Sequence, residues 1–139
     1  MEEMNQLKMF TVEEANKLLP KIVPLVAEIQ EKRETILGLE VEIDALEIID
    51  EKNHDGFSPA FDSKVEAYNK TVNRFYAAID EIHEIGCFLK DVDSGLIDFY
   101  SLHNGRVVYL CWKMGEAKVA FWHEIGRGFT HRQPLEIEK

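Results

Sequence analysis

The segment from Lys90 to Glu124 reads KDVDSGLIDFYSLHNGRVVYLCWKMGEAKVAFWHE, and the rest of the chain is organised around it. Two turn signals divide this segment into three short apolar runs. Asn104-Gly105 is the stronger signal, because a type I′ hairpin turn needs positive φ at both central residues. Gly115-Glu116 follows, with glycine where a type II′ turn requires it. The segment therefore predicts a three-stranded antiparallel β-meander.

Treating both turns as two-residue loops predicts the register of this meander. Asp98 is then opposite Cys111, Cys111 is opposite Ala120, and Tyr109 is opposite Trp122. Side chains alternate between the two faces of a strand, so each face acquires its own composition. The predicted apolar face carries Ile97, Phe99, Val108, Leu110, Trp112, Val119 and Phe121, with Ser101 and His123 towards its ends. The predicted second face carries Asp98, Tyr100, Tyr109, Cys111, Trp122 and Glu124. A slip of one residue in either turn would exchange the faces of a strand.

The second face supplies the candidate site. Its members are expected to form a ligand-binding or purely structural polar cluster: Asp98, Tyr109, Cys111, Trp122, Glu124 and Arg132. The bend expected at 126–128 brings in Arg132, whose forked guanidinium suits a carboxylate and is expected to pair with Glu124 or Asp98. A buried Arg132 would indicate a structural cluster, whereas an open cleft would suit an anionic ligand.

Neither a metal site nor a catalytic set is predicted from these residues. A metal would need Cys111, Glu124 and Asp98, with Asp91 or His131 as a further candidate ligand. A thiolate with carboxylates matches structural zinc sites poorly. His123-Glu124 lacks the second histidine of the zinc-protease motif H-E-x-x-H. Asp98 opposite Cys111 would raise the thiol pKa, which favours a buried, inert cysteine over a nucleophile. No cofactor is therefore expected.

Two helices are predicted before the meander, over 11–51 and 60–85. Thr11 and Glu14 form a capping box at the first start. Both segments carry apolar seven-residue repeats, which predict an antiparallel, coiled-coil-like hairpin. The repeats comprise Ala15, Ile22, Ile29, Ile36 and Ile43 with Leu18, Leu25, Leu39 and Leu46, interrupted only at Lys32, and they face Val65, Val72 and Ile79 with Tyr68, Phe75 and Ile82. Pro20 and Pro24 predict a kink or break near 19–21.

The fold class expected from these elements is α+β, a long antiparallel helical hairpin packed on a small three-stranded meander. A single domain is expected over 1–139, with the meander at 87–124 and a C-terminal tail at 125–139. The longer first helix overhangs its partner and can cover the apolar sheet face. The expected covering residues are Val12, Leu19, Ile22, Val23 and Val26.

Charge and composition narrow the classes of function. The net charge is −10 and the isoelectric point is near 4.9, so nucleic-acid binding is not expected. No bilayer-spanning run or signal peptide is recognised, and a cytoplasmic protein without membrane association is expected. Two cysteines are too few for a disulfide framework.

Several strings resemble a prokaryotic family catalogued as domain-of-unknown-function family 2203. They are FTVEEANKLLP at 10–20, KDVDSGLIDF at 90–99, VYLCWKMGE at 108–116, FWHEIGRGF at 121–129 and RQPL at 132–135. The resemblance implies a small cytoplasmic prokaryotic protein and implies no activity. It highlights, without assigning roles, Lys90, Asp91, Asp98, Cys111, Trp112, Glu116, Trp122, His123, Glu124, Arg132 and Gln133.

Three classes of function remain open. An interaction or structural module is favoured by the paired apolar repeats, the acidic charge and the lack of a complete catalytic set. Its partner would be an unknown protein or a second copy, for which Leu19, Val26 and Trp122 are expected to leave apolar surface. The alternatives are a small-molecule or metal-binding protein and an enzyme, both using the aromatic–acid face of the sheet.

Overall fold

The computed structural model describes residues 8–53 and 56–135. Its elements are α1 (Val12–Asn53), α2 (Pro59–Ile85), β1 (Phe88–Asp91), β2 (Leu96–His103), β3 (Arg106–Lys113), β4 (Phe121–Glu124), a short 3-10 helix (Phe129–His131) and β5 (Gln133–Pro134). The expected α+β class is confirmed, with two helices packed together and an antiparallel sheet ordered β1-β2-β3-β4-β5. Within the described residues, the sheet has five strands rather than three, because β1 and β5 pair with its two edges. In the part of the chain described, no helix contains a stretch long and apolar enough to cross a membrane.

The start of α1 follows the predicted capping box. The amide of Thr11 donates to Glu14 Oε1 over 2.9 Å, and the amide of Glu14 donates to Thr11 Oγ1 over 3.0 Å. The helix then continues through Pro20 and Pro24 without the predicted break. Both prolines are exposed and lie one turn apart, so the carbonyl groups that lose their donors lie on the solvent side, where water can satisfy them.

The start and end of α2 also follow local signals. Ser58 caps the first turn by accepting a hydrogen bond from the amide of Phe61, and Pro59 occupies the first helical turn. Gly86 ends the helix with φ of 112°, a left-handed conformation that glycine adopts without steric cost. The next strand begins at Phe88, so α2 leads directly into the sheet.

The hydrophobic core lies between the first half of α1, the second half of α2 and one face of the sheet, which we call the inner face. Its buried members include Ala15, Leu19, Ile22, Leu25, Val26 and Ile29 of α1, Phe75, Ala78, Ile82 and Ile85 of α2, and Ile97, Phe99, Leu110 and Trp112 of the sheet. Of the expected covering residues, Leu19, Ile22 and Val26 are buried in this core and Val23 is half-buried, whereas Val12 is exposed. Leu19 and Val26 are 7% and 0% exposed, so the expectation that they offer surface to a second copy was wrong.

The other half of the hairpin lies beyond this core. We call it the distal arm, residues 34–53 of α1 and 59–73 of α2. Its repeat positions in α1, such as Ile36 and Ile43, are only half-buried. Side chains of the two helices contact each other here: the Tyr68 hydroxyl donates a hydrogen bond to Glu40, and Lys64 forms an ion pair with Glu42. The arm is therefore a two-helix structure with solvent on its outer sides.

The first predicted hairpin is confirmed. Asn104 and Gly105 have φ of 54° and 79°, as a type I′ turn requires. The flanking strands pair as expected, with Asp98 opposite Cys111 and Tyr100 opposite Tyr109.

The predicted register between β3 and β4 was wrong by one residue. Tyr109 is opposite His123, not Trp122, and Cys111 is opposite Phe121, not Ala120. The turn closes one residue early, with the amide of Glu116 donating to the Lys113 carbonyl, and the chain rejoins the sheet only at Phe121. A slip of one residue exchanges the faces of β4.

Two hydrogen bonds to α1 hold the segment that connects β3 to β4 away from the sheet. The amide of Val119 donates to Asn16 Oδ1 over 2.7 Å, and Asn16 Nδ2 reaches the Val119 carbonyl at 3.5 Å. The Asn16 side chain thus forms the hydrogen bonds that a neighbouring strand would otherwise form with Val119. The connecting segment packs against the helix instead of forming the predicted two-residue loop.

Candidate functional site

A cluster of three buried polar side chains lies on the second face of the sheet, which we call the outer face. Asp98 of β2, Cys111 of β3 and His123 of β4 each offer one ligand atom, and these atoms all lie within 4.8 Å of one another. The three residues are 2%, 0% and 2% exposed. Three adjacent strands thus position an aspartate, a cysteine and a histidine at one point, which we call the Asp–Cys–His cluster.

The contacts of His123 define which ring nitrogen faces the other two members of this cluster. Its Nδ1 lies 3.0 Å from the Glu124 carbonyl oxygen, which can only accept, so Nδ1 carries a proton. Its Nε2 lies 3.2 and 3.3 Å from the two carboxylate oxygens of Asp98. In a neutral imidazole this Nε2 is a bare lone pair facing an acceptor. A shared proton or a metal ion between the ring and the carboxylate would stabilise this arrangement.

Lys90 reaches the cluster from its solvent side. Its ammonium lies 3.4 Å from Asp98 Oδ2 and 4.1 Å from the centre of the Tyr109 ring, and its side chain is 38% exposed. Tyr109 is further held by a 3.4 Å hydrogen bond to the Tyr100 hydroxyl. Burial, this bond and the nearby Asp98 raise the pKa of Tyr109, so it remains a neutral phenol beside the cluster.

Arg132 is held on the opposite side of the cluster by Glu116. Its Nη1 and Nη2 each donate to one carboxylate oxygen of Glu116 in a bidentate pair, and Nη1 also lies 3.7 Å from Cys111 Sγ. The guanidinium lies 3.9 Å from the Phe121 ring centre and 4.3 Å from that of Phe129. The predicted proximity of Arg132 to the outer face is confirmed, but its predicted pairing with Glu124 or Asp98 was wrong.

Cys111 is protonated in this environment. Burial raises the pKa of its thiol to about 12, with Asp98 adding to the rise and Arg132 opposing it. Thiolate is the nucleophilic form, so the geometry supports an unreactive thiol. A metal ion would replace the thiol proton, since coordinated cysteines are deprotonated.

The predicted site residues thus divide into two groups. Asp98, Tyr109 and Cys111 share the outer face, with Arg132 against it. Trp122 and Glu124 lie on the inner-face side of β4 because of the register slip. Trp122 packs on the His103 ring at 4.6 Å, and the exposed Glu124 pairs with Arg106 at 3.2 Å.

His123 is the central residue that the sequence reasoning placed on the wrong face. One signal could have located it. The predicted register put a histidine on an apolar face and a tryptophan beside acids, whereas a slip of one residue puts Trp122 opposite Leu110 and His123 near Asp98. The slipped register therefore matches each of these two side chains better to its surroundings.

Comparisons with known proteins identify the family and no function. The chain matches the family model described as "Uncharacterized conserved protein (DUF2203)" over residues 8–135, so it belongs to that family and the resemblance noted in its sequence is confirmed. No curated protein and no solved structure matches it.

Proposed function

We propose that the protein binds a transition-metal ion, with zinc the expected one, through the carboxylate of Asp98, the thiolate of Cys111 and Nε2 of His123. The observation that carries this proposal is the convergence of three ligand atoms within 4.8 Å. Around tetrahedral zinc, O, N and S ligands lie roughly 3.3–3.7 Å apart, given their usual bond lengths. A contraction of at most about 1.5 Å, from 4.8 Å to this range, would bring the three ligand atoms to zinc-binding separations.

The tautomer of His123 fits a metal ligand. Metal-bound histidines usually donate their second ring N–H to a carboxylate or backbone carbonyl, which fixes the ring. Here the Glu124 carbonyl accepts from Nδ1 over 3.0 Å and leaves Nε2 directed at Asp98. A proton on Nε2 would also neutralise the carboxylate without using Cys111, whose Sγ would keep its 3.7 Å contact with Arg132 Nη1. Loss of metal binding when the thiol is replaced would therefore distinguish a metal site from an imidazolium–carboxylate pair.

Three protein ligands leave one tetrahedral position for water, as in catalytic zinc sites. Lys90 lies next to Asp98, and its ammonium places a positive charge 3.4 Å from Oδ2 of the carboxylate. When the ion binds, the ammonium is expected to move outward, which its partly exposed side chain permits.

The test is zinc binding by the chelator-treated protein, measured by isothermal titration calorimetry and by metal analysis after dialysis. The wild type should bind one zinc ion per chain. Cys111→Ser and His123→Gln should each weaken binding by more than the 10- to 100-fold typical of losing an outer-shell contact. Cys87→Ser and His131→Gln are the matched controls, since Cys87 is equally buried but lies outside the cluster. Equal zinc affinity in the wild type and all four variants would reject the metal site and leave an imidazolium–carboxylate pair between His123 and Asp98.

A second candidate function is the interaction module that the sequence favoured. The observation that favours it is the outward side of the distal arm, where α1 exposes large apolar side chains. Leu37, Val41, Ile48 and Ile49 are 46%, 69%, 57% and 53% exposed. Its test is whether Val41→Asp abolishes binding of a partner without changing the stability of the protein. The two candidate functions use separate parts of the chain and are compatible.

A further inference from the structure

A second apolar stripe runs along α1 in the distal arm. The seam formed by positions such as Ile36 and Ile43 already packs against α2 and is half-buried. On the other side of the same helix, a row of exposed residues repeats at spacings of four, four and three: Leu37, Val41, Ala45 and Ile48. This spacing places them on one face over about 17 Å of helix. The helix therefore has two apolar faces, and α2 covers one of them.

The neighbouring helix provides an internal comparison. The outward positions of α2 in the same arm are exposed and mostly polar: Asp62, Ser63, Glu66, Asn69, Lys70 and Asn73. Single exposed apolar residues are ordinary on protein surfaces, but a contiguous exposed stripe marks an interaction site. Both helices of the distal arm face the same solvent, but only α1 exposes an apolar stripe. Exposure of apolar residues is therefore specific to this face of α1 and is not general to the distal arm.

A row of acids borders the stripe on one side. Glu40, Asp44, Glu47 and Glu51 repeat at spacings of four, three and four, and all four are exposed. At helical periodicity this row lies next to the stripe along its whole length. The surface thus combines an apolar ridge with a parallel line of negative charge.

We infer that this face of α1 binds a partner helix that carries an apolar stripe bordered by a row of lysine or arginine residues. The inference names the partner of the interaction module and rests on that candidate function. Helices pack side by side when apolar ridges interlock, and charges at the flanks of the contact select the partner and its direction. A third helix along the arm would cover the stripe and set its basic row against the four acids.

A second copy of the chain fits this face less well than a basic helix does. In an antiparallel pair of identical helices, each flank faces the same flank of the other copy, so the two acidic rows would meet. Like charges along a helix contact are unfavourable. The chain also has a net charge of −10, which opposes self-association and favours a basic partner.

The test uses the full chain and two fluorescent designed peptides of about 18 residues, long enough for five helical turns. Both peptides carry leucines at helical spacing; one has a flanking row of lysines and the other a row of glutamates. Measured by fluorescence anisotropy, the wild type should bind the lysine peptide, and the affinity should fall as salt rises. Asp44→Lys combined with Glu47→Lys should exchange the preference in favour of the glutamate peptide.

A matched pair of double variants locates the binding surface. Val41→Asp with Ile48→Asp should weaken lysine-peptide binding at least about tenfold, a change of 1.4 kcal/mol. Asn69→Asp with Asn73→Asp adds the same charge to α2 in the same arm and should change binding less than about twofold.

Several outcomes would overturn the inference, and they are distinguishable. Equal binding of both peptides at the stripe would retain an interaction module and reject the basic partner. Binding of neither peptide, or binding that Val41→Asp with Ile48→Asp does not weaken, would reject the surface. A wild-type dimer in sedimentation that the same double variant dissociates would assign the face to a second copy. Zinc binding is unaffected by any of these outcomes, because the cluster lies on the sheet.

Discussion

On β2, Phe99 and Asp98 are consecutive residues that point to opposite faces of the sheet and are 0% and 2% exposed. Phe99 is buried on the inner face, in one apolar cluster with residues of both helices. Its ring centre lies 5.2 Å from that of Phe10 in an edge-to-face arrangement. Asp98 is buried on the outer face by side chains, with Lys90 and His123 both within 3.4 Å of its carboxylate.

The two faces retain their buried residues through different interactions. On the inner face, burial is favourable in itself, because apolar surface leaves water. On the outer face, burial of a carboxylate is costly unless each charge is paired and each hydrogen-bonding atom has a partner. The inner face therefore depends on volume and shape, and the outer face depends on charge and hydrogen bonds.

Truncating the inner face should have the largest effect. Phe99→Ala removes a fully buried ring and should reduce the free energy of unfolding by about 3–5 kcal/mol, the usual range for a core phenylalanine. Urea denaturation followed by circular dichroism measures it. Leu102→Ala is the control, because Leu102 on the same strand is 61% exposed. A loss below about 1 kcal/mol would mean that the inner face is not a packed core.

Removing a charge from the outer face should have a comparable but smaller effect. Arg132→Ala leaves Glu116 without its bidentate partner, and buried pairs broken in this way cost about 3–5 kcal/mol. Because the two side chains are 11% and 21% exposed, we expect about 2–3 kcal/mol, discounted for solvent screening. Arg132→Lys should recover only part of the loss, since a lysine cannot form the fork. Full recovery of the free energy of unfolding in Arg132→Lys would show that a positive charge next to Glu116 is enough, without the bidentate geometry.

The buried cysteine of the core makes alkaline stability a further test. Burial raises the pKa of Cys87 to about 12, above the ordinary value near 8.5 of an unfolded thiol. A raised pKa in the folded state contributes stability that is present below the unfolded pKa and is lost as pH rises towards the folded pKa. The wild type should therefore lose about 1–2 kcal/mol more than Cys87→Ala between pH 8 and pH 10. Urea titrations at pH 8 and pH 10 measure the loss for each protein. Equal losses for the wild type and Cys87→Ala would contradict burial of the thiol.

The smallest expected effect concerns the cation beside the cluster. Lys90 and a metal ion compete for the charge of Asp98, so Lys90→Gln should strengthen zinc binding about three- to tenfold, a modest gain because the ammonium is partly solvated. Calorimetric titration measures the change, and Lys64→Gln on the distal arm is the control. Weaker zinc binding in Lys90→Gln would mean that Lys90 supports the site and does not compete for it.

Local signals in the sequence were sufficient for most of the fold. The Asn104-Gly105 turn, the capping box of Thr11 and Glu14 and the apolar repeats of the hairpin each act between residues that are close in the chain. Each of them is present in the structure. They were sufficient for the start of α1, the pairing of β2 with β3 and the inner-face residues of those two strands.

The candidate site was only partly predictable, because a distant residue sets its last component. Asn16 bonds the amide and carbonyl of Val119, 103 positions away, and this attachment accompanies the slip that brings His123 beside Asp98. The pairing of Arg132 with Glu116 depends on the same connection. No turn propensity at Gly115 encodes such a contact, so the sequence identified Asp98 and Cys111 but not the third member.

The most direct test of the metal site is the absorption spectrum of the chelator-treated protein titrated with cobalt(II), which substitutes for zinc and absorbs strongly when bound to a thiolate. The wild type and Cys87→Ser should each develop a thiolate-to-cobalt charge-transfer band that saturates at one ion per chain, and added zinc should remove it. Cys111→Ser should lack the band at every cobalt concentration. An unchanged band in Cys111→Ser that disappears in Cys87→Ser, or no band in the wild type, would contradict a metal site at Asp98, Cys111 and His123.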